Sequence, residues 1–101
     1  MLPPTMTDKQ RIAALDWEDI RHFAALARHR TLLSTARALH VSCESVERRL
    51  ASLEAVLGYS LFIRSGTEFA LNAAGAAALA EAAQMEMAAC SLLQKHPASV
   101  P

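Results

Sequence analysis

The densest group of side chains able to recognise another molecule lies between residues 42 and 49. An arginine near the start of a helix can donate hydrogen bonds to guanine O6 and N7 together, and a carboxylate can accept one from cytosine N4. The free amides of a helix N-terminus attract a phosphate or a base-edge acceptor. The candidate contact residues are Ser42, Cys43, Glu44, Glu47, Arg48 and Arg49, with Arg37 and Arg64 outside this segment.

All four candidate arginines have an alternative role that the sequence leaves open, and Arg64 is taken up with the wing below. Arg48 is the first choice for a base contact, but it could also be solvated or touch phosphate alone. For Arg37 and Arg49, a contact with the nucleic-acid backbone and an ordinary surface position are evenly balanced. Which role each arginine has therefore depends on the position of the helix or strand that carries it.

Residues 42–57 are predicted to form one amphipathic helix that presents this group. Its apolar residues recur with the helical period of about 3.6 and so share one buried face, and they are Val46, Leu50, Leu53 and Leu57. The opposite face carries Cys43, Glu44, Glu47, Arg48 and Ser52. Ser42 can cap the first turn by accepting a hydrogen bond from the amide of Ser45, and capping could be its whole role.

A helix over about 17–28 is predicted upstream. Asp16 is a suitable N-cap, and Asp19 three residues later is typical of a capping box. Its two aromatic residues, Trp17 and Phe23, are expected in the core. Its two histidines, His22 and His29, are expected at the surface or at the helix end.

A second helix, over about 32–39, can be capped by Thr31. Only His40 and Val41 separate it from Ser42. Two helices joined by about three or four residues form a helix-turn-helix, in which the second helix enters the major groove and meets base edges with its N-terminal residues. This order favours recognition of DNA over an ordinary core helix.

Two short segments with strand character follow, at 61–64 and 68–71, and a Ser-Gly-Thr turn separates them. A hairpin after the second helix of a helix-turn-helix is predicted to be a wing that reaches phosphate or the minor groove. Arg64 would meet phosphate there, or would pair with Glu68 or Glu54.

Asn72 can cap a final helix over about 73–95, whose alanine content gives it strong helix propensity. Its apolar residues form a narrow seam with spacings near three and four, made of Ala76, Leu79, Ala83, Met87, Cys90 and Leu93. Such a seam, without an obvious partner inside so short a chain, predicts that a second copy supplies the other side. Cys90 is expected as a small core residue of this seam.

The composition indicates one domain of 101 residues, with 52% apolar residues to build a modest core. Ten basic and ten acidic residues cancel overall, but residues 21–67 hold seven Arg and three Glu. A basic centre between acidic ends is compatible with phosphate contact, though more weakly than a strongly basic domain would be.

Several classes of protein are disfavoured. Glu81 and Glu86 interrupt the alanine-rich stretch, and no signal-peptide pattern opens the chain, so we expect a cytoplasmic protein without a membrane span. Cys43 and Cys90 lack metal-spaced partners, which predicts reduced thiols, no metal and no cofactor. A redox switch at Cys43 is a weak alternative. No catalytic combination of residues is present, so an enzyme is not expected.

The predicted fold is mainly α: a winged helix-turn-helix of three helices plus a small β-hairpin wing, followed by a long linker and dimerisation helix. We expect residues 1–14 to be a mobile N-terminal tail and 15–71 to be the DNA-binding domain. Residues 72–96 would be the linker helix, and 97–101 a C-terminal tail.

Several motifs occur in a characteristic order and spacing, at 16–23, 36–42, 46–54, 57–58 and 61–64. Together they resemble the DNA-binding domain of LysR-type transcriptional regulators over about residues 15–93. The resemblance implies a winged helix-turn-helix, a linker helix that pairs with a second subunit, and a bacterial transcription factor that binds a promoter as a dimer or tetramer.

The sequence departs from the family pattern at functional positions. Glu47 stands where the family usually has Ser, Arg30-Thr31 replaces Gly-Ser, and Leu33 replaces a polar residue that would contact phosphate. The Thr-x-x-Gly motif that opens the linker helix is present only as Asn-Ala-Ala-Gly at 72–75. Because a carboxylate repels phosphate, the operator preference should differ or the affinity should be low.

The sequence thus predicts a sequence-selective domain for double-stranded DNA that dimerises through its last helix. The family's effector-binding domain is not found in this chain, so no small-molecule effector is expected to bind it. The alternative is a truncated protein-interaction module, whose linker helix pairs with a full-length regulator and holds it in inactive heterodimers.

Overall fold

The computed structural model describes residues 7–94. Within them, five helices and a two-stranded hairpin follow one another, as α1 (Asp8–Ala14), α2 (Trp17–His29), α3 (Leu32–Leu39), α4 (Cys43–Leu57), β1 (Phe62–Ser65), β2 (Glu68–Leu71) and α5 (Ala73–Gln94). The predicted winged helix-turn-helix with a following long helix is confirmed. The additional element is α1.

The core is formed where α2, α3 and α4 meet the hairpin. The apolar face predicted for α4 is buried at Val46, Leu50 and Leu53. Phe62 of β1 meets the rings of Phe23 and Phe69 edge-on, with 5.6 Å between centroids in both pairs. Each fully buried side chain of this size contributes about 1.5–3 kcal/mol, so this cluster provides much of the stability of the domain.

The predicted N-caps are confirmed in each helix of the helix-turn-helix. The Asp16 carboxylate accepts from the amide of Glu18 at 2.8 Å. The hydroxyl groups of Thr31 and Ser42 each accept from the amide three residues later, at 3.1 Å in both helices. These bonds satisfy amides that have no partner within their own helix, which explains why α2, α3 and α4 begin where they do.

The wing is attached to the junction between α2 and α3. The strands pair antiparallel, with Phe62 opposite Leu71 and Ser65 opposite Glu68. The amide of Phe69 donates to the carbonyl of Arg30 at 2.7 Å. The hairpin is therefore anchored beside the start of α3 by its backbone.

The start of α5 packs closely against the hairpin, at Leu61 just before β1 and at Leu71 of β2. Asn72 caps α5 by accepting from the amide of Gly75 at 2.7 Å, and it donates to the carbonyl of Ser60 at 2.8 Å. A Cβ atom at Gly75 would overlap the carbonyl oxygen of Leu61 and lie 2.9 Å from Cδ2 of Leu71. Only glycine at position 75 allows α5 to approach Leu61 and Leu71 this closely.

The N-terminal segment differs from the prediction of a tail, because residues 8–14 form α1. Thr7 and Gln10 make a capping box that starts this helix. Arg11 then donates to the carbonyl oxygens of Val56 and Leu57, at 3.2 and 2.8 Å. Its charge lies at the negative end of α4, which stabilises both helices. The remaining part of the predicted N-terminal tail, the end of the predicted linker helix and the C-terminal tail lie outside the described residues.

Two further predictions for α2 are wrong. His22, expected at the surface, is buried, and its Nδ1 lies 2.7 Å from the carbonyl oxygen of Glu18. Trp17, expected in the core, remains 36% exposed. The helical period places His22 on the face of α2 that packs against the core, whereas Trp17 is the first residue of α2 and lies at the edge of that face.

Candidate nucleic-acid interface

The N-terminal half of α4 carries most of the predicted contact residues on an exposed surface. Ser42, Glu44, Glu47 and Arg48 are all exposed, while Val46 between them is fully buried. The Ser42 hydroxyl also donates to Oγ of Ser45 at 3.0 Å. A helix anchored on one face and exposed on the other has the shape needed to enter a groove.

Arg48 is the arginine of α4 that stays available for an external partner. Its Nη2 lies 3.5 Å from Oγ of Ser45, at the outer limit of a hydrogen bond. Within residues 7–94, no carboxylate oxygen lies within ion-pair distance of its guanidinium. Apart from this long contact with Ser45, its donors are available for a base edge or a phosphate. Arg37 is likewise exposed, on α3.

Arg49 points to the other side of α4, toward α2. Its Nη1 lies 3.0 Å from Oδ1 of Asp19 and 3.5 Å from Oδ2 of Asp16. The hydrogen bond with Asp19 raises the pKa of Arg49, so the group stays charged at any ordinary pH. Asp19 was predicted in a capping box of α2, but its carboxylate is buried and bonds Arg49 instead.

Arg64 lies between the wing and α4. Its Nη1 is 3.7 Å from Oε2 of Glu47, and its guanidinium carbon is 4.5 Å from the centre of the Phe69 ring. The two partners considered for it from the sequence are wrong, because each carboxylate is engaged elsewhere. Glu68 lies 3.4 Å from Arg30, and Glu54 accepts from the amide of Leu61 at 2.8 Å.

Cys43 differs from its predicted position on the exposed face. It is half-buried and packs against the core from the first turn of α4. Its outer side lines an open groove between α3, α4 and the wing, together with Thr31, Leu33, Arg64 and Thr67. This groove brings the start of both helices of the helix-turn-helix next to the wing.

The first half of α5 packs on its own chain, while its second half extends outward. Gly75 and Ala82 are buried, and Leu79 of the predicted seam is half-buried against the core. The remaining members of the predicted seam are exposed in this chain, namely Ala76, Ala83, Met87, Cys90 and Leu93. The expectation that α5 has no partner within the chain is thus wrong for its first half. Cys90 is solvent-exposed here and not a core residue of the single chain.

Three residues position the interface through contacts that were not predicted from the sequence. Asp19 orients α4 through Arg49, Arg11 caps the C-terminal end of α4, and Gly75 brings α5 onto the strand. For Gly75 a signal existed, because glycine inside an alanine-rich helix is unfavourable without a packing reason. Arg11 and Asp19 act on residues far away in sequence, so no local pattern points to them.

No helix within residues 7–94 is both long and apolar enough to cross a membrane. The same part of the chain contains no group of three His, Cys, Asp or Glu side chains placed to hold a metal ion.

Residues 17–76 match the family described as bacterial regulatory helix-turn-helix protein, lysR family. The match begins with α2 and ends just inside α5. It therefore includes the whole helix-turn-helix and the wing, whereas α1 and most of α5 lie outside it.

Two of the relatives that the sequence matches are bacterial regulatory proteins. The iron-regulated virulence regulatory protein IrgB of Vibrio cholerae is 40% identical over 60 residues, which are 59% of this chain and 20% of IrgB. The HTH-type transcriptional regulator TfdS of Cupriavidus pinatubonensis is 38% identical over 71 residues, which are 70% of this chain and 24% of TfdS. The chain thus spans less than a quarter of the length of these relatives.

A similar fold occurs in the crystal structure of the CbnR DBD–DNA complex. The two chains superpose with a TM-score of 0.79 at 30% sequence identity. The similarity covers 86% of this chain and 100% of the other. The superposition covers more of this chain than the family match to residues 17–76 does, so the similarity in structure extends beyond those residues.

Proposed function

Because this chain belongs to the lysR family of bacterial helix-turn-helix regulatory proteins, we propose that it binds double-stranded DNA with sequence selectivity. In this proposal it is the DNA-binding part of a LysR-type transcriptional regulator. The observation that carries the proposal is Arg48, an exposed arginine without a carboxylate partner in the described residues. It lies in the N-terminal half of a helix whose other face is buried.

The major groove of DNA accepts the exposed face of α4. Arg48 donates to guanine O6 and N7, since a bidentate arginine is the commonest specific contact in this groove. The amides at the start of α4, next to Ser42, receive a phosphate or base-edge acceptor. Arg37 of α3 and the wing contact the backbone on either side. DNA as the partner is supported by the similar CbnR DBD, whose structure is of a complex with DNA.

A second copy pairs with α5 in this proposal. The support is the outer half of α5, where Met87 and Leu93 are 71% and 76% exposed. Apolar side chains exposed to this extent along one helix are typical of a surface that is covered by a partner. Two copies related by a two-fold axis would read two half-sites, which gives a palindromic operator.

The proposal is tested by fluorescence anisotropy with labelled duplex DNA. One duplex is selected from a random library by repeated capture on this protein, and the other has a shuffled sequence of the same composition. We expect tighter binding to the selected duplex, and affinity for both that falls as salt increases, because bound arginines release counterions from phosphate. The absence of binding to either duplex at low salt would overturn the proposal.

A protein-interaction module is the second candidate. The observation in its favour is the acidic character of the start of α4, where Glu44 and Glu47 are both exposed beside Arg48. In that case α5 would pair with the linker helix of a full-length regulator and no DNA would be bound. Co-purification with such a regulator, together with no salt-dependent binding of DNA, would favour this candidate.

The proposal carries three further expectations. The chain performs no catalysis and needs no cofactor, since its task is to hold DNA. It works in the cytoplasm, where a bacterial chromosome is accessible. An effector is not expected to bind the described part of the chain.

A further inference from the structure

Glu47 joins α4 to the wing. Its Oε2 lies 3.7 Å from Nη1 of Arg64, so a carboxylate of the DNA-facing helix is directed to a cation of β1. Both side chains are about half exposed, at 48% and 56%. An ion pair exposed to this extent contributes about 0–1 kcal/mol, so an external phosphate can replace the carboxylate at little cost.

The Phe69 ring fixes the other side of Arg64. The guanidinium carbon lies 4.5 Å from the ring centre, which is within the range of a cation–π contact. Phe69 itself is only 3% exposed, and its amide donates to the carbonyl of Arg30. The ring is therefore a rigid support, and Arg64 is held in place beside the groove between α3, α4 and the wing.

We infer that Glu47 acts as an internal competitor of the DNA backbone for Arg64 and so lowers the affinity for DNA of any sequence. This inference rests on the proposed function. While Glu47 neutralises Arg64, one positive charge that would attract every phosphate is removed from the wing. Binding to DNA of any sequence is weakened, and a larger share of the remaining binding energy comes from the base contact of Arg48.

The competing role for Glu47 is acceptance of a hydrogen bond from cytosine N4. The two roles make opposite predictions. A competitor for Arg64 weakens binding to all sequences, so its removal strengthens binding to all of them. A base-reading carboxylate strengthens binding to one sequence, so its removal weakens binding to that sequence alone.

The test is Glu47→Gln, which keeps the shape of the side chain and removes its charge. Anisotropy is measured on the selected and the shuffled duplex over a salt series. We expect affinity for the shuffled duplex to rise about twofold to fivefold, as expected from an exposed ion pair. The salt dependence of binding should become steeper, by up to about one phosphate contact. The affinity for the selected duplex should rise by a similar factor, so the ratio of the two affinities should change little.

Two control variants make the result specific. Glu44→Gln removes a carboxylate from the same helix that has no ion pair to Arg64, and should have a smaller effect. In an Arg64→Met background, which keeps an apolar side chain over Phe69, Glu47→Gln should leave the affinity for shuffled DNA nearly unchanged. Circular dichroism verifies that each variant is folded.

The outcomes separate the inference from the proposed function. Equal effects of Glu44→Gln and Glu47→Gln, or an unchanged effect in the Arg64→Met background, overturn the inference while the proposed function stands. Loss of affinity for the selected duplex alone also overturns it, in favour of cytosine reading. Failure of the unsubstituted protein to bind either duplex overturns both.

Discussion

Nη1 of Arg49 lies 3.0 Å from Oδ1 of Asp19, and the side chain of Asp19 is only 6% exposed. This pair joins α4 to α2 across the domain, at positions 30 residues apart in sequence. One partner is buried while the other is one-third exposed. The orientation of α4 relative to α2 therefore depends on a charge that cannot be solvated if its partner is lost.

Replacement of Arg49 with Met should lower the thermal stability by several degrees. The reason is that the buried Asp19 carboxylate would lose its cation, and an uncompensated buried charge is strongly destabilising. The pair should persist throughout the neutral range and be lost from the arginine side only in strong base, since the pKa of Arg49 is raised. Thermal unfolding followed by circular dichroism measures the change.

The matched control for this pair is the double variant with Arg49→Met and Asp19→Leu. Removal of both charges leaves no buried carboxylate, so stability should partly recover. If the double variant is less stable than Arg49→Met alone, the pair is not the cause. If the folded Arg49→Met variant also binds DNA of every sequence more weakly, Arg49 contacts the DNA backbone in addition to Asp19.

Arg48→Ala should cost about 1–3 kcal/mol of binding to the selected duplex and reduce the preference for it. The physical reason is that alanine cannot replace the two donors of a guanidinium at a guanine edge. Arg37→Ala is the comparison, and should weaken binding to selected and shuffled DNA alike. Titrations of both duplexes give the two affinities. An equal loss on both duplexes for Arg48→Ala would contradict base reading.

Gly75→Ala should destabilise the domain by about 1–3 kcal/mol, because overpacking forces backbone shifts. The added methyl group would overlap the carbonyl oxygen of Leu61, which is backbone and cannot rotate away. Ala77→Ser, at an exposed position of the same helix, is the control and should change little. Urea unfolding measures both. Unchanged stability of Gly75→Ala would show that α5 can move away from the strand without cost.

Met87→Glu should shift a dimer toward monomer, because a charge in an apolar helix seam must be desolvated. Leu92→Glu is the matched control, since Leu92 is 77% exposed and Met87 is 71% exposed, but the two lie on different faces of α5. Sedimentation equilibrium over the micromolar range measures the association. A monomeric unsubstituted protein, or equal loss of association in both variants, would contradict the predicted seam.

The helices of the DNA-binding domain could be predicted from sequence because their signals are local. Thr31 and Ser42 cap helices at the predicted places, and α3 has the predicted bounds of 32–39. A cap needs only the next few amides, and a buried face needs only the helical period. The same logic failed at α1, where the signal was short and part of the stabilising contact comes from α4 through Arg11.

By itself, the sequence determined the order of elements from α2 to α5, the buried face of α4 and most of the residues exposed at its start. Only the tertiary structure decided which partner each charged side chain has. It directs Arg49 to Asp19, pairs Arg64 with Glu47 and leaves Arg48 without a carboxylate partner in the described residues. The physical reason is that periodicity and capping depend on neighbours in the chain, whereas ion pairs depend on distances between elements, which exist only after the helices have packed.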